Sequence, residues 1–360
     1  MNALPDRPRK GRGAVSNPDG RYETLARHRV DDGWGMGEGD QPEPVQTTVI
    51  DEVCRTIITR NDSPDVPFEQ SINPYRGCEH GCAYCFARPS HARMGLSPGL
   101  DFETRLFAKP GAASLLTDEL RKPSYQCSPI VLGANTDPYQ PIERQRQITR
   151  SILEVLAAHD HPVVITTKSA MVVRDIDILA PMAAKRLVSV NLSITTLDRH
   201  LARTLEPRAA TPTKRLETLA KLSAVGVPTA VLASPMIPAL TDSELEAILE
   251  AAAGVGARSA AYLMLRLPLE LKALFTEWLE THVPDRAERV LNRVRECREG
   301  ALYVADFATR GRGTGIHVEL LESRFRLACR RYGLNERTGL ELDTTRFHVP
   351  TRPGDQLSLW

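Results

Sequence analysis

Short apolar runs alternate with helix-length amphipathic stretches through the middle of this chain. Strand-like runs begin at about residue 68, and residues 129–133 and 162–167 are two clear examples; between them, residues 144–158 carry apolar side chains at helical spacing. Strands that alternate with helices in this way form a parallel sheet, because each helix crosses back over the sheet before the next strand begins. About six such strands fit before residue 267. The pattern therefore predicts an α/β fold, either a barrel or an open doubly wound sheet.

Bulk composition excludes several classes of protein. The chain has 360 residues, of which 42% are hydrophobic, and a formal net charge of +1, so gross charge gives no argument for nucleic acid. It contains no apolar run near the ~18 residues that a membrane span needs. Its first residues have no apolar segment behind their charges, unlike a signal peptide. The seven cysteines are an odd number, which argues against a disulfide framework. We expect a cytoplasmic protein with reduced thiols and no membrane partner.

Three cysteines lie in one short loop directly after the first predicted strand. Cys78, Cys82 and Cys85 follow the spacing Cys-x3-Cys-x2-Cys. The carboxyl end of a strand is where βα barrels place their active sites. Three thiolates can hold three corners of a cubane iron–sulfur cluster, and the fourth iron then has no protein ligand. Such an open iron beside a cavity is a place for chemistry.

A structural zinc site is the alternative for the same loop. Zinc prefers four protein ligands, and His80, His91 or Cys127 could supply the fourth. In that case the protein would be a zinc-stabilised nucleic-acid-binding module without catalysis. The two hypotheses differ in a simple observation, because a cubane cluster is brown and zinc is colourless.

With Tyr84 just before its last cysteine, the loop resembles the signature of the radical S-adenosylmethionine (SAM) enzymes. The resemblance implies a partial (β/α)6 barrel with a [4Fe-4S] cluster on Cys78, Cys82 and Cys85. It also implies that SAM binds the open iron and is cleaved reductively to a 5′-deoxyadenosyl radical, with a reductant such as flavodoxin or ferredoxin. Tyr84 matches the aromatic position that lies beside the adenine in this family.

Two later segments, residues 133–143 and 166–169, resemble the spore photoproduct lyase-like branch of the family. The resemblance covers roughly residues 45–310. It places Thr136 and Asp137 at the methionine end of SAM and Lys168 at its carboxylate. Further positions implied are Ser193 at the ribose, with Asn191 as its neighbour, and Ser234 at the adenine. Polar residues at strand ends are also common in ordinary turns, so each has a structural alternative.

The branch resemblance implies a lyase-type, DNA-repair-like reaction on DNA or a nucleotide lesion, but one departure matters. Spore photoproduct lyase has a cysteine after its second strand that returns a hydrogen atom to the product, whereas residues 133–136 contain none and Cys127 precedes the strand. The lyase's own reaction is therefore not carried over. A small-molecule or protein substrate is the alternative. In the loop after the cysteines, substrate contacts and a purely structural loop both stay open for His91, Asp101 and Glu103.

Composition divides the chain into four segments. Residues 1–45, rich in Pro, Gly, Arg and Asp, are predicted to be mostly disordered. Residues 46–267 form the predicted barrel, 268–350 a helical and locally basic extension, and 351–360 a tail. In the arginine-rich extension, a salt-bridged solvent face and a nucleic-acid surface both stay open.

The tail resembles the peptide by which bacterial proteins dock on the DNA polymerase sliding clamp. It ends in Gln356, Leu357, Ser358, Leu359 and Trp360. In such a peptide the Gln amide sets the orientation, and the two leucines and the aromatic residue fill an apolar pocket. The alternative is a tail that packs on its own domain.

Overall fold

The computed structural model describes residues 7–23, 45–336 and 341–351. Its centre is a seven-stranded sheet in the order β10-β9-β8-β7-β6-β3-β2. Every neighbouring pair is parallel except β2 and β3. A small second sheet has the order β1-β5-β4. The strands are β1 Thr48–Asp51, β2 Ile58–Arg60, β3 Gln70–Ile72, β4 Tyr75–Arg76, β5 Arg105–Ala108, β6 Ile130–Leu132, β7 Val163–Thr167, β8 Val188–Ser193, β9 Thr229–Met236 and β10 Ser259–Met264.

Helices connect the parallel strands, as the alternating pattern predicted. The α-helices are α1 Asp101–Thr104, α2 Ala112–Leu120, α3 Glu143–Arg146, α4 Ile148–Ala158, α5 Ile176–Ala184, α6 Arg199–Leu205, α7 Pro212–Ala224, α8 Leu245–Gly254, α9 Leu271–His282, α10 Pro284–Glu296 and α11 Ile316–Tyr332. Three 3-10 helices cover Arg88–Met94, Ala170–Asp175 and Asp242–Glu244. The fold is thus a partial (β/α)6 barrel with an added antiparallel edge strand. In the part of the chain that the structure describes, no helix is both long and apolar enough to cross a membrane.

One face of the parallel sheet is closed by helices and the other is open. The closed face carries fully buried aliphatic side chains such as Ile165, Val190 and Val231. Side chains of strand partners in a parallel sheet point to the same face, so the register defines three rows on the open face. These rows are Ser71–Val131–Val164–Ser189, Thr166–Asn191–Ala230–Ser259 and Ser193–Leu232–Ala261. Most of these side chains are small or polar and only half-buried, which leaves room for ligands.

The predicted helix over 144–158 is two helices. Gln147, between α3 and α4, has φ of 49°, in the left-handed region that ends a helix. The break lets the buried Glu143 carboxylate accept hydrogen bonds from the Thr149 and Arg150 amides, at 3.0 and 3.3 Å, at the start of α4. A carboxylate suits this position, since the first amides of a helix have no intrahelical acceptor. Periodicity cannot reveal such a break, because the apolar face continues across it.

Part of the predicted disordered segment packs against the core. Within residues 7–23, Arg12, Ala14 and Val15 are buried. Segment 7–23 makes polar contacts with the region of the cysteine loop, described below, and these contacts offset its low apolar content. The rest of the predicted segment up to residue 44 lies outside the described residues.

The extension after β10 packs on the barrel in at least three places, one of which is the contact of α11 with α8. Helix α9 buries Trp278 and Leu271 in one apolar cluster with Cys82 and Tyr84, so it supports the cysteine loop. Residues 341–351 contact loops that lead into barrel strands. Arg121, for example, donates a 2.7 Å hydrogen bond to the Pro350 carbonyl. These loops lie at the amino ends of the strands, opposite the cysteine loop.

Candidate active site

The cysteine loop begins where β3 ends, and two glycines shape it. Gly77 and Gly81 have φ of 73° and 65°, values that glycine adopts without steric cost. A side chain at Gly77 would lie 2.7 Å from Leu106 Cδ2, and one at Gly81 would lie 2.5 Å from Glu103 Oε2. Both positions therefore need glycine for conformation and for space. The result is a compact loop in which the Cys78 amide donates to the Phe102 carbonyl at 2.9 Å.

A fully buried ion pair holds the loop from beneath. The Arg88 guanidinium contacts Glu103 at 2.5 Å and donates to the carbonyls of Gly81 and Cys82, at 3.1 and 2.9 Å. Glu103 also accepts from the amides of Gly13 and Ala14, at 3.0 and 2.8 Å. One carboxylate thus joins the cysteine loop to segment 7–23. Because both side chains are wholly buried, each needs the other for charge compensation.

The three thiols lie close together; Cys78 and Cys82 are buried and Cys85 is half-buried. Burial is the main cause that raises the pKa of Cys78, and charge repulsion from Asp137, Cys82 and Cys85 adds to it. Burial also raises the pKa of Cys82 to about 12 against the opposing charges of Lys168 and Arg215. All three are free cysteines. Cations lie near two of the thiols, Lys168 and Arg215 near Cys82 and Arg88 and Lys168 near Cys85. Thiols on a loop of fixed shape with such neighbours fit a metal-bound state, since metal binding removes the proton. The three residues therefore fit an iron–sulfur cluster.

The zinc alternative gains no support from this geometry. Among the described residues, no three His, Cys, Asp or Glu side chains are placed to hold one metal ion, whereas a zinc site needs ligands that converge. In a cubane each cysteine binds a different iron, so convergence on one point is not needed. Of the possible fourth ligands, His91 bonds the Arg105 carbonyl at 3.0 Å, and Cys127 precedes β6 at the opposite end of the barrel.

Asp137 connects the cysteine loop to the ends of β6 and β7. One of its oxygens accepts from Thr167 Oγ1 at 2.7 Å, and the other from the Lys168 amide at 2.7 Å. The second oxygen also lies 3.3 Å from His80 Nδ1. Burial alone would raise the pKa of Asp137, but His80 and these hydrogen bonds lower it to about 2. In the structure the Asp137 carboxylate contacts Thr167, the Lys168 amide and His80. Its predicted contact with SAM stays a prediction.

Thr136 and Gln140 are also bonded to nearby backbone. Thr136 Oγ1 donates to the Tyr75 carbonyl at 2.8 Å. Gln140, which sequence analysis missed, accepts from the Glu79 amide at 2.9 Å and donates to the Gly77 carbonyl at 3.2 Å. The segment after β6 therefore clamps the cysteine loop by several polar contacts.

Tyr84 points into a buried polar cluster beside the cysteines. Its hydroxyl contacts Glu206 and lies 3.0 Å from Thr195 Oγ1. Glu206 is in turn paired with Arg215, which is itself buried on α7. Burial would raise the pKa of Glu206, but the charges of Arg215 and Lys168 outweigh it, so the pKa is lowered. Tyr84 is thus held in one orientation, and its ring has a charged neighbour.

That neighbour is Lys168. Its Nζ lies 5.8 Å from the centroid of the Tyr84 ring, and the side chain is half-buried at the end of β7. Nζ makes no hydrogen bond or ion pair with any of the described residues. A lysine ammonium beside the cysteines and without an acceptor fits the carboxylate of a bound ligand.

The two predicted serines lie on the same side of the barrel. Ser193 ends β8 and its carbonyl accepts from Arg215 at 2.8 Å, while the Ser234 carbonyl on β9 accepts from Thr195 at 2.9 Å. Asn191, on the open face, donates to Thr166 Oγ1 at 3.3 Å. The structure therefore brings all predicted SAM-contact residues to the carboxyl ends of neighbouring strands.

Two candidate substrate contacts are structural instead. His91 and Glu103 are both fully buried. His91 packs between the rings of Phe102 and Phe107, with centroid distances of 5.1 and 6.3 Å. Its burial lowers its pKa, so it is neutral near pH 7. The idea that these two side chains contact substrate is wrong, because neither is open to the barrel.

The family model of the radical SAM superfamily matches residues 72–252, which run from the end of β3 into α8. An uncharacterized protein of Mycobacterium tuberculosis is 35% identical over 260 residues, which are 71% of this chain and 75% of the relative. The chain belongs to the radical SAM superfamily. An uncharacterized protein of Methanocaldococcus jannaschii is 28% identical over 178 residues, which are 48% of this chain and 62% of the relative.

Solved structures of spore photoproduct lyase share the fold. One mutant of that enzyme superposes with a TM-score of 0.52 at 15% identity, over 79% of this chain and 80% of the enzyme. A second, with bound AdoMet and dinucleoside spore photoproduct, gives 0.51 at 16% identity over the same shares. These matches confirm the predicted partial barrel. As a radical SAM superfamily member, the chain is expected to use SAM and an iron–sulfur cluster.

The buried charged pairs were missed by sequence analysis, although one signal was present. Arg215 lies on α7 at the spacing of its buried residues Thr218, Leu219 and Leu222. An arginine on the apolar side of a helix needs a buried acid, and Glu206 is that acid. For Arg88 and Glu103 no such signal exists, because their loop has no periodicity.

Proposed function

We propose that this protein reductively cleaves SAM at a [4Fe-4S] cluster held by Cys78, Cys82 and Cys85. The observation that carries the proposal is a superfamily loop whose three free cysteines lie together at the carboxyl end of the first barrel strand. When bound, the cluster supplies one electron to the SAM sulfonium, which splits into methionine and a 5′-deoxyadenosyl radical.

The residues around the cluster loop have separate tasks in this proposal. Lys168 neutralises the SAM carboxylate, and the fixed ring of Tyr84 supports the adenine. Ser193 and Ser234 lie where the ribose and adenine would meet the strand ends. Asp137 and Thr136 line the methionine end, and they position the backbone there through their hydrogen bonds. The open face of the sheet, with its small side chains, receives the substrate.

For the substrate we propose DNA or a nucleotide lesion, in a reaction of the lyase type. Support comes from the two branch-like segments and from the fold shared with spore photoproduct lyase, one structure of which carries a dinucleoside spore photoproduct. The segment after β6 has no cysteine, so the hydrogen donor differs from that of the lyase. A small-molecule or protein substrate is the competing proposal.

A direct assay tests both parts. The protein is reconstituted without oxygen, reduced with dithionite and given SAM, and 5′-deoxyadenosine is measured with and without ultraviolet-damaged DNA. A yield that rises with damaged DNA supports the repair reaction. An unchanged yield leaves SAM cleavage in place and removes the DNA substrate, and no yield at all contradicts the proposed chemistry.

The cluster ligands are tested by a matched pair of variants. Cys82→Ala is expected to abolish cluster assembly and SAM cleavage, because only two thiolates remain. Cys127→Ala, the same substitution at the other end of the barrel, is expected to leave both unchanged. The measurements are iron and sulfide content and the brown charge-transfer absorbance. A full cluster in Cys82→Ala would refute the assignment.

We further propose that the tail, with Gln356, Leu357, Leu359 and Trp360, docks on a bacterial sliding clamp. These residues lie outside the described residues, so the support is the sequence resemblance alone. A flavodoxin or ferredoxin is the proposed electron donor.

A further inference from the structure

The half-buried Arg266 and the exposed Phe86 form a pair where the last barrel strand meets the cysteine loop. Phe86 directly follows Cys85 and is 43% exposed. Arg266 follows the end of β10, and its guanidinium carbon lies 5.1 Å from the centroid of the Phe86 ring. The flanking Leu265 and Leu267 are buried in the cluster that contains Tyr84. Because successive side chains of an extended segment lie on opposite sides, Arg266 lies on the side away from that cluster.

Arg266 has a hydrogen-bonding group without an acceptor. Its Nε atom is buried and has no partner among the described residues. A buried N–H that lacks an acceptor costs free energy comparable to a lost hydrogen bond, and more when the group is charged. Such groups in native structures call for an explanation, and a ligand that supplies the acceptor is one.

The surroundings of Arg266 are cationic. Arg298 is close enough to Arg266 to repel it, and Arg310 and Arg266 both interact with Asp65. Asp65 is already held by Arg310, with both oxygens bonded at 2.5 Å. The Arg298 guanidinium donates hydrogen bonds to the Thr309 and Leu265 carbonyls, at 2.7 and 2.8 Å. Arg310 and Arg266 thus share one carboxylate, and both hydrogen bonds to that carboxylate come from Arg310.

A cationic side chain next to an exposed aromatic ring can bind a nucleotide, which combines an anionic phosphate with a flat base. Arginine binds phosphate by directed hydrogen bonds, and aromatic side chains beside cationic groups stack unpaired bases of single-stranded nucleic acid. A stacked duplex offers no free base face, so the ligand must present at least one unstacked base.

We propose that Arg266 and Phe86 form a binding site for a phosphodiester strand with an unstacked base, with Arg266 on the phosphate and Phe86 against the base. The inference rests on the proposed function, because it names the substrate class of the proposed reaction. It goes beyond that function in assigning two residues that lie outside the proposed cluster and SAM contacts.

The first test is equilibrium binding by the full-length protein, independent of turnover. Fluorescence anisotropy of a labelled single-stranded oligothymidine is measured over a series of salt concentrations. Arg266→Ala is expected to weaken binding and to lower the slope of log affinity against log salt by about one. Lys221→Ala removes one positive charge from the exposed surface of α7, outside the arginine-rich extension, and is expected to leave the slope unchanged.

The second test isolates the base contact. The wild-type protein should bind oligothymidine about tenfold more tightly than an abasic strand of equal length. Phe86→Leu should remove that preference while keeping the salt slope. Because Phe86 adjoins Cys85, iron content and thermal unfolding of each variant show whether the loop still folds. A Phe86→Leu variant that keeps its iron and also keeps the preference contradicts the stacking contact.

The outcomes separate this inference from the proposed function. If the wild-type protein forms 5′-deoxyadenosine but binds no oligonucleotide, or if Arg266→Ala behaves like Lys221→Ala, the site is wrong while the radical chemistry stands. If SAM is not cleaved but oligonucleotide binding depends on Arg266 and Phe86, the site stands and the proposed chemistry fails.

Discussion

At the scale of single residues, the cysteine loop owes its shape to charges that are buried in pairs. Arg88 and Glu103 have no exposed surface, and the same is nearly true of Arg215 and Glu206. Burying one charge without its partner is far more costly than burying the pair. We infer that these side chains fix the loop before any cofactor arrives.

Replacing Arg88 tests this. Arg88→Met keeps the length of the side chain but leaves Glu103 buried without a counter-charge, so we expect a loss of about 3–5 kcal/mol in the free energy of unfolding. Arg293→Met removes an arginine from an exposed pair with Glu296 and should cost less than about 1 kcal/mol. Urea denaturation of both variants without cofactor gives the comparison. Equal losses would contradict the role of burial.

A buried histidine makes stability depend on pH. His161 bonds the Tyr125 hydroxyl at 2.6 Å, and burial lowers the pKa of His161 to about 4. In the unfolded chain the histidine pKa is about 6.5, so between these values the unfolded state binds the additional proton and stability falls as pH falls.

We expect His161 to reduce the free energy of unfolding by about 2 kcal/mol between pH 7 and pH 5. His161→Gln, which keeps a neutral polar group, should lose that part of the pH dependence whatever its absolute stability. Denaturation at the two pH values measures the difference. The same pH dependence in the variant would show that another group is responsible.

At the scale of elements, segment 7–23 packs against the cysteine loop and is hydrogen-bonded to the side chain that supports it. Beyond the bonds of its amides to Glu103, Arg12 donates to the carbonyls of Glu103 and Val45, at 3.0 and 2.7 Å. Gly13 lies so close to the loop that a side chain there would lie 1.7 Å from the Gly81 carbonyl oxygen. The segment therefore covers the backbone that carries the proposed ligands.

Gly13→Ala is expected to lift this segment from the loop, because backbone on both sides leaves no room for a methyl group. Trypsin should then cleave the segment at its arginines several-fold faster. Gly111→Ala, where nothing lies within 4 Å of the added atom, provides the control and should be cleaved like the wild type. Unchanged protection in Gly13→Ala would mean that the contact is not needed.

At the scale of the whole molecule, the two ends of the barrel have different tasks. The cysteine loop, Lys168 and Arg266 lie at the carboxyl ends of the strands. The last described segment lies at the amino ends, where the His348 amide donates to the His159 carbonyl at 3.2 Å. The chain beyond residue 351 therefore leaves the described structure at the end of the barrel opposite the candidate active site, and a partner that bound it would approach from that end.

Deleting residues 356–360 tests the proposed clamp contact. We expect the truncated protein to lose its pull-down with a purified bacterial sliding clamp while its thermal unfolding and SAM cleavage stay unchanged. Substituting Gln356 and Leu359 by alanine in the full-length chain is the milder form of the same test. If the tail instead packs on its own domain, its deletion would lower the unfolding temperature. Neither the full-length nor the truncated protein would then bind the clamp.

The order of elements and the cofactor loop could be predicted from sequence because their signals are local. Strand and helix periods repeat within a few residues, and Cys78, Cys82 and Cys85 lie within one turn-rich loop. The resemblance to the superfamily supplied the barrel, and the SAM contacts that it implies stay predictions. Arg88, Glu103, Gln140 and Glu206 could not be predicted in the same way, since their partners come from other segments.

Tertiary structure alone assigned the buried residues their roles. A charged side chain has the same local sequence signal whether it faces water or another charge, and only packing decides which; His91 and Glu103 became structural for that reason. The contact of Arg266 with Phe86 likewise joins residues far apart in the chain. Local patterns thus specify elements and loops, whereas the pairing of distant charges and rings depends on how those elements pack.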